Sequence, residues 1–502
     1  VNHLKSLAIG VLTLLALTGC VSAPPSTTST PTGEQVAAEL QPFYNQVLQW
    51  ESCGDGLQCT TAKAPMDWKN PGDAEIELAL VRHPATGDRL GSLLVNPGGP
   101  GASGYDFIMD SVDFATSEKL QSRYDIVGFD PRGVNKSSAV DCYDQPAELD
   151  EAIYGVSDLP VGTDAWIEDI KASAAEFAQA CLEHTGELLE HVDTVSAARD
   201  LDLLRAVLGD SDLNYLGYSY GTLLGATYAD LYPENTGRMV FDGAVDPATS
   251  ELDVTATQAK GFEDAMRAFL ADCLGADDCP FQGTVDQSME LIDVLLDSLN
   301  ESPLRHTDGR MLSGNTMFTA IILPLYNVGN WPYLKILFDE VLSGETTTAF
   351  LLADTYYDRA ADGTYQSNQT EAFLSINCLD YQAEYSNETL HENAAKLAEI
   401  APVFGPRMSY GVSCADWPFE SERERTAIAA EGSSDLLVVG TTGDPATPYQ
   451  WAVNMADQLE NGHLVTYNGE GHTAYNKSND CVQNAVEGYL IDGTVPEADP
   501  NC

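Results

Sequence analysis

Leu213, Asn214, Tyr215, Leu216, Gly217, Tyr218, Ser219, Tyr220, Gly221 is the stretch that decides the fold. Leu213 to Leu216 read as a short buried strand, and Thr222 to Tyr232 read as a helix that stops before Pro233. Between them stands Ser219, with a glycine two places before it and another two places after. A serine that projects from a sharp strand-to-helix turn needs that spacing, because a side chain at either glycine would collide with neighbouring backbone. Gly225, Ala226 and Ala229 are small enough for the helix to pack closely. By itself the pentapeptide is a common pattern; between strand and helix it reads as a nucleophile elbow.

A serine hydroxyl is a weak nucleophile until an imidazole accepts its proton and a carboxylate holds that imidazole in the right tautomer. Where a serine stands on an elbow of this kind, its partners follow it along the chain, acid first and histidine last, on loops at the carboxyl ends of strands. His472 lies in Asn468 to His472, directly after a strand-like run from His463 to Tyr467. Upstream, Leu436 to Val439 form another apolar run, followed by Gly440 to Gly443 and then Asp444, with Pro445 and Pro448 behind it. Taken singly, His472 reads as a loop histidine bonded to backbone and Asp444 as a turn residue. Their order after an elbow favours the catalytic pair. Asp246, within Phe241 to Pro247, is a rival acid at the end of a strand.

Acyl transfer also needs backbone N–H groups aimed at the developing oxyanion. One donor is expected at Tyr220, the residue after the nucleophile. The other is expected in Asn96 to Gly104, a glycine-rich loop after the strand-like Ser92 to Val95. Pro97 and Pro100 carry no N–H, so the donor there is Gly98 or Gly99. A further buried strand, Asp125 to Asp130, leads into Pro131, Arg132 and Gly133.

Together, Asn96 to Gly104, Phe129 to Gly133, Asp200 to Gly209, Asp242 to Pro247, Gly443 to Pro448 and Gly471 to Tyr475 carry a family resemblance. The chain resembles secreted actinobacterial α/β-hydrolases of the tripeptidyl aminopeptidase type and, more distantly, prolyl aminopeptidases. The resemblance runs from about residue 40 to the end and implies Ser219 as nucleophile, Asp444 as acid and His472 as base. Prolyl aminopeptidases usually begin the oxyanion loop with histidine, where this chain has Pro97. That difference favours the tripeptidyl branch. The implied fold class is α/β: an α/β-hydrolase fold with a mostly parallel central sheet and a large, mostly helical inserted cap.

The interval between Ser219 and Asp444 far exceeds a few strand-helix units. Apolar residues at helical spacing in Gln258 to Leu270 and Val285 to Leu299 place a helical cap there. The expected organisation is a lipoprotein signal peptide at 1–20, a Pro/Ser/Thr-rich tether at 21–39, and a hydrolase core at 40–247 and 426–502. The cap takes 248–425. Lys5, the apolar run Leu7 to Leu17 and the lipobox Leu17 to Cys20 give export with a lipid on Cys20; ordinary secretion with cleavage near Ala23 is the alternative.

Without Cys20 the chain has ten cysteines, an even number that suits disulfides in an exported protein. Their pairing is not deducible from sequence; the most local solution joins Cys53 with Cys59, Cys142 with Cys181, Cys273 with Cys279, Cys378 with Cys414, and Cys481 with Cys502. No spacing resembles a zinc site or a P-loop, so neither metal nor cofactor is expected. Net charge is −53, from 77 acidic and 24 basic residues, which argues against nucleic acid and anionic membrane surfaces as partners. A negative field draws in cations, including a peptide amine, and Glu263, Asp264 and Asp380 are expected candidates for its anchor.

These readings converge on an exported, lipid-anchored monomeric serine exopeptidase. It would release short peptides, two or three residues long, from free N-termini, and touch the membrane only through its lipid. A carboxylesterase or lipase with the same triad is one alternative, because the triad does not distinguish amide from ester. A binding lipoprotein without catalysis is the other.

Overall fold

A computed structural model describes residues 27–421, 425–496 and 498–502 of the 502-residue chain. The expected signal peptide and the lipidation site Cys20 lie outside the described residues. A ten-stranded sheet is formed by β1 (Thr27–Thr28), β2 (Gln49–Gly54), β3 (Leu57–Pro65), β4 (Glu75–His83), β5 (Gly91–Asn96), β6 (Tyr124–Phe129), β7 (Leu213–Tyr218) and β8 (Thr236–Asp242), completed by two strands late in the chain. A small hairpin, β9 (Leu304–Arg305) and β10 (Met311–Leu312), stands apart from it, and the late strands are β11 (Leu436–Gly443) and β12 (Gly462–Glu470). The order across the sheet is β1-β2-β3-β4-β6-β5-β7-β8-β11-β12. The six strands from β6 to β12 run parallel, and β1 to β4 extend the sheet antiparallel.

Strands covered on both faces need apolar side chains pointing both ways, and the central strands supply them. On one face Leu94, Val127, Phe129, Tyr215, Met239, Phe241 and Val438 join a core under the helices Thr194–Leu208, Tyr220–Leu231 and Tyr449–Gln458. On the other, Val95, Ile126, Leu216, Val240 and Val439 meet the helices Gly104–Ala115 and Asp480–Asp492.

Between β8 and β11 the chain builds a layer of helices from Glu251–Cys273 to Gly405–Met408 with its own apolar core around Phe269, Met317 and Phe338. The helix Gln369–Asp380 packs Ala372, Ile376 and Leu379 into the core of the sheet instead. A second helical excursion, Pro146–Tyr154 and Asp164–Thr185, leaves the sheet after β6, and Tyr154 joins the core of the helical layer. The structure contains the five disulfides Cys53–Cys59, Cys142–Cys181, Cys273–Cys279, Cys378–Cys414 and Cys481–Cys502.

The stretch expected as a solvated tether is bound to the body from Thr27 onward. Thr27 and Thr28 pair with Trp50 and Gln49 of β2, the Thr32 N–H donates to Ala206, and Glu34 forms an ion pair with the buried Arg205 at 2.9 Å. Backbone pairing at a sheet edge asks nothing of side-chain polarity, so a Thr-rich segment satisfies it.

Candidate active site

The elbow follows from steric necessity. Ser219 takes φ 55° and ψ −127°, a strained conformation for a non-glycine residue, and its N–H donates to the Asp242 carbonyl at 2.9 Å. A Cβ on Gly217 would come within 2.5 Å of the Gly221 carbonyl oxygen, and one on Gly221 within 2.7 Å of Asn96 Oδ1. Both glycines are therefore required by the turn.

The acid and the histidine meet. Asp444 opens the loop after β11 and His472 follows β12; His472 Nδ1 lies 2.9 Å from each carboxylate oxygen of Asp444. Asp444 also accepts from the N–H groups of Ala446, Thr447 and Thr473 and from the Thr447 hydroxyl at 3.0 Å. Surrounded by donors, the carboxylate can serve His472 only as an acceptor. Its side chain is fully buried, while that of His472 remains 12 % exposed, enough to meet a substrate. Ser219 and His472 flank one turn. Gly243 follows the carbonyl that receives the Ser219 N–H, and a Cβ on it would lie 3.2 Å from His472 Cε1.

The helical layer reaches the site through Tyr326. Its carbonyl accepts the His472 N–H at 2.8 Å, and its ring stands edge-on to the imidazole at 5.4 Å. Thr447 and Tyr326 were not anticipated from sequence. An aspartate followed three places on by a threonine is a turn signal that could have marked Thr447, whereas nothing local marks Tyr326.

The glycine loop lies against the elbow. A Cβ on Gly98 would come within 2.8 Å of the Ser219 Cβ and 3.1 Å of the Tyr220 nitrogen. Gly98 donates its own N–H to Asn96 Oδ1 at 3.0 Å, which removes it as an oxyanion donor. Among the described residues no acceptor takes the N–H of Gly99 or of Tyr220. The loop is anchored by Asp130, which accepts from the Ser103 hydroxyl at 2.6 Å and from the N–H groups of Tyr105 and Lys136. Beside it Arg132 spends all five donors on Asp200 and the carbonyls of Pro65, Met66 and His191. These contacts give the motifs around residues 130 and 200 a structural role.

The three carboxylates expected to anchor an amine part company. Glu263 accepts from the N–H groups of Val403 and Phe404 and is 4 % exposed, because that buried turn would otherwise leave its donors unsatisfied. Asp264 is exposed and paired with Lys260. Glu263 is thus committed to the protein's own backbone, and Asp264 lies at the surface. Asp380 accepts from the N–H and hydroxyl of Thr194, whose hydroxyl also meets the Tyr220 phenol. It lines a cavity of about 630 Å³ together with Thr194, Leu223, Trp68, Pro247 and Arg425. Burial pushes its carboxyl up to about 6. Asp246, the rival acid, is held by Asn454 and Gln458 rather than by a histidine.

A parallel sheet that carries an elbow, an acid loop and a histidine loop at the carboxyl ends of β7, β11 and β12 defines an α/β-hydrolase. Residues 401–502 match the family model described as TAP-like protein. Serine protease Hip1 of Mycobacterium tuberculosis is 35 % identical over 491 residues, 93 % of each chain. Carboxylesterase B of the same species is 34 % identical over 497 residues, 96 % of this chain and 95 % of its own. Tripeptidyl aminopeptidase of Streptomyces lividans is 30 % identical over 472 residues, 91 % of this chain and 86 % of its own. The chain belongs to this TAP-like family of α/β-hydrolases and is a serine hydrolase.

Proposed function

We propose that the protein is an exported serine exopeptidase that hydrolyses short peptides from free N-termini through Ser219, His472 and Asp444. The observation that carries this is the contact of both Asp444 oxygens with His472 Nδ1 at 2.9 Å, beside the turn that receives the Ser219 N–H. Asp444 holds the imidazole with Nδ1 protonated, so Nε2 is the base. Ser219 Oγ attacks the scissile carbonyl as Nε2 takes its proton, and the N–H groups of Tyr220 and Gly99 stabilise the oxyanion. His472 then returns the proton to the leaving amine, and an acyl-enzyme remains on Ser219. Water, deprotonated by the same nitrogen, completes hydrolysis.

Asp380 is the proposed anchor for the substrate ammonium. The names of the Hip1 and tripeptidyl aminopeptidase relatives favour peptides. The carboxylesterase B name favours the second reading, an esterase with the same triad. Mass spectrometry of products from peptides with free and acetylated N-termini tests the exopeptidase reading, which expects cleavage of the free peptides alone. Equal cleavage of both removes it. Turnover of p-nitrophenyl esters without turnover of peptide p-nitroanilides selects the esterase.

Five disulfides favour an oxidising compartment outside the cytoplasm. Lipid anchoring at Cys20 is proposed from the lipobox alone, and radiolabelled fatty acid should be incorporated by the wild type and not by Cys20→Ala.

A further inference from the structure

The loop that carries His472 is held by two carboxylates, and the triad uses only one of them. Its backbone turns through left-handed conformations at Gly471 (φ 102°), Thr473 (φ 62°) and Asn476 (φ 59°), two of them non-glycine residues that adopt this region only at a cost. Four consecutive N–H groups are each accounted for. That of His472 goes to the Tyr326 carbonyl, and that of Thr473 goes to Asp444 at 3.1 Å. The next two go to Asp242: Ala474 donates to both of its oxygens at 3.0 Å, and Tyr475 donates at 2.7 Å.

Asp242 is completely buried at the last position of β8, in register with Tyr218 of β7. Its carbonyl accepts the N–H of Ser219 at 2.9 Å, and the N–H of the next residue, Gly243, donates to Val439 of the strand that delivers Asp444. One residue thus touches the nucleophile through its main chain and the histidine loop through its side chain.

We infer that Asp242 is a positioning residue for the triad, the joint that fixes the distance between the nucleophile elbow and the histidine loop. This rests on the reading of Ser219, Asp444 and His472 as the triad. Only a carboxylate suits the place. Both converging groups are donors, and an asparagine would turn its NH2 toward one of them or leave it unpaired in a dry site. The carboxylate also sets a second negative charge near the imidazolium that forms when Ser219 gives up its proton. The ionisable groups around this centre are Asp444 from the β11 loop, Asp242 from β8, Tyr326 from the helical layer, Tyr218 from β7 and Lys477 from the histidine loop itself.

The test compares Asp242→Asn with Asp246→Asn in the full-length protein. Asp246 is also a buried carboxylate, in the loop just after β8, but it binds Asn454, Gln458 and the Ala248 N–H rather than the histidine loop. Asp242→Asn should lower kcat roughly tenfold or more with KM nearly constant, and slow fluorophosphonate labelling of Ser219 in parallel. The acid limb of its kcat/KM profile should move to lower pH, because the imidazolium loses a neighbouring negative charge. Asp246→Asn should leave the limb in place. An unchanged kcat and limb in Asp242→Asn, or the same shift in both variants, overturns the proposal. Should Asp242→Asn not fold, hydrogen exchange on the wild type decides: amides of 472–475 should exchange slowly near neutral pH, and rapid exchange overturns the role. Ser219→Ala separates the two readings, since activity retained there sinks the triad itself.

Discussion

Thr447 Oγ1 lies 3.2 Å from His472 Nδ1 while donating at 3.0 Å to the carboxylate that the imidazole also faces. The hydroxyl occupies a donor direction around Asp444 and keeps both oxygens of that carboxylate in line with Nδ1. Thr447→Val preserves shape and removes the hydroxyl. The loss of a buried hydrogen bond to a charged group, about 1.5–3 kcal/mol, corresponds to a fall in kcat of roughly tenfold to a hundredfold. KM for the same peptide should change little, as steady-state assays with a chromogenic peptide will show.

Arg132 and Asp200 form a fully buried pair joined by two hydrogen bonds of 2.7 Å. Removing one partner strands a charge in an apolar surrounding. Arg132→Met should therefore cost about 3–5 kcal/mol of stability, read as a lower midpoint in urea or guanidinium unfolding. The replacement of both, Arg132→Met with Asp200→Leu, should recover part of that loss.

Glu371 sits 6 % exposed beneath the Cys142 N–H, and burial pushes its carboxyl up to about 7. A carboxyl raised in the folded state binds more protons there than in the unfolded chain, so its contribution to stability falls as pH rises from the ordinary glutamate range through about 7. Glu371→Gln should consequently raise the melting temperature at pH 8 and leave it nearly unchanged at pH 4. Differential scanning calorimetry across that range checks the sign.

The parts of the fold that rest on local pattern were legible in the sequence. Runs such as Leu436 to Val439 are apolar on both faces, as a strand buried between two helical layers requires, and the elbow declared itself by two obligatory glycines. Order along the chain then distinguished Asp444 and His472 from other acids and histidines. What escaped depends on tertiary register. Asp242 is the last residue of β8 and Asp246 stands four residues beyond it, and only the pairing of that strand and the path of the loop after it decide which carboxylate meets the histidine loop and which meets Asn454 and Gln458. Glu263 looks like any acid of an amphipathic helix until the turn at Val403 and Phe404 folds onto it. Tyr326 comes from a helical layer whose packing has no sequence period that aims it at an imidazole.

The central claim is that Ser219 is the nucleophile activated by His472 and Asp444. Intact-protein mass spectrometry after reaction with a fluorophosphonate tests it most directly, with digestion to map the adduct. A single adduct on the peptide containing Ser219, absent in Ser219→Ala and formed far more slowly in His472→Ala, is the predicted result. An adduct of the same size and rate in Ser219→Ala would contradict the account.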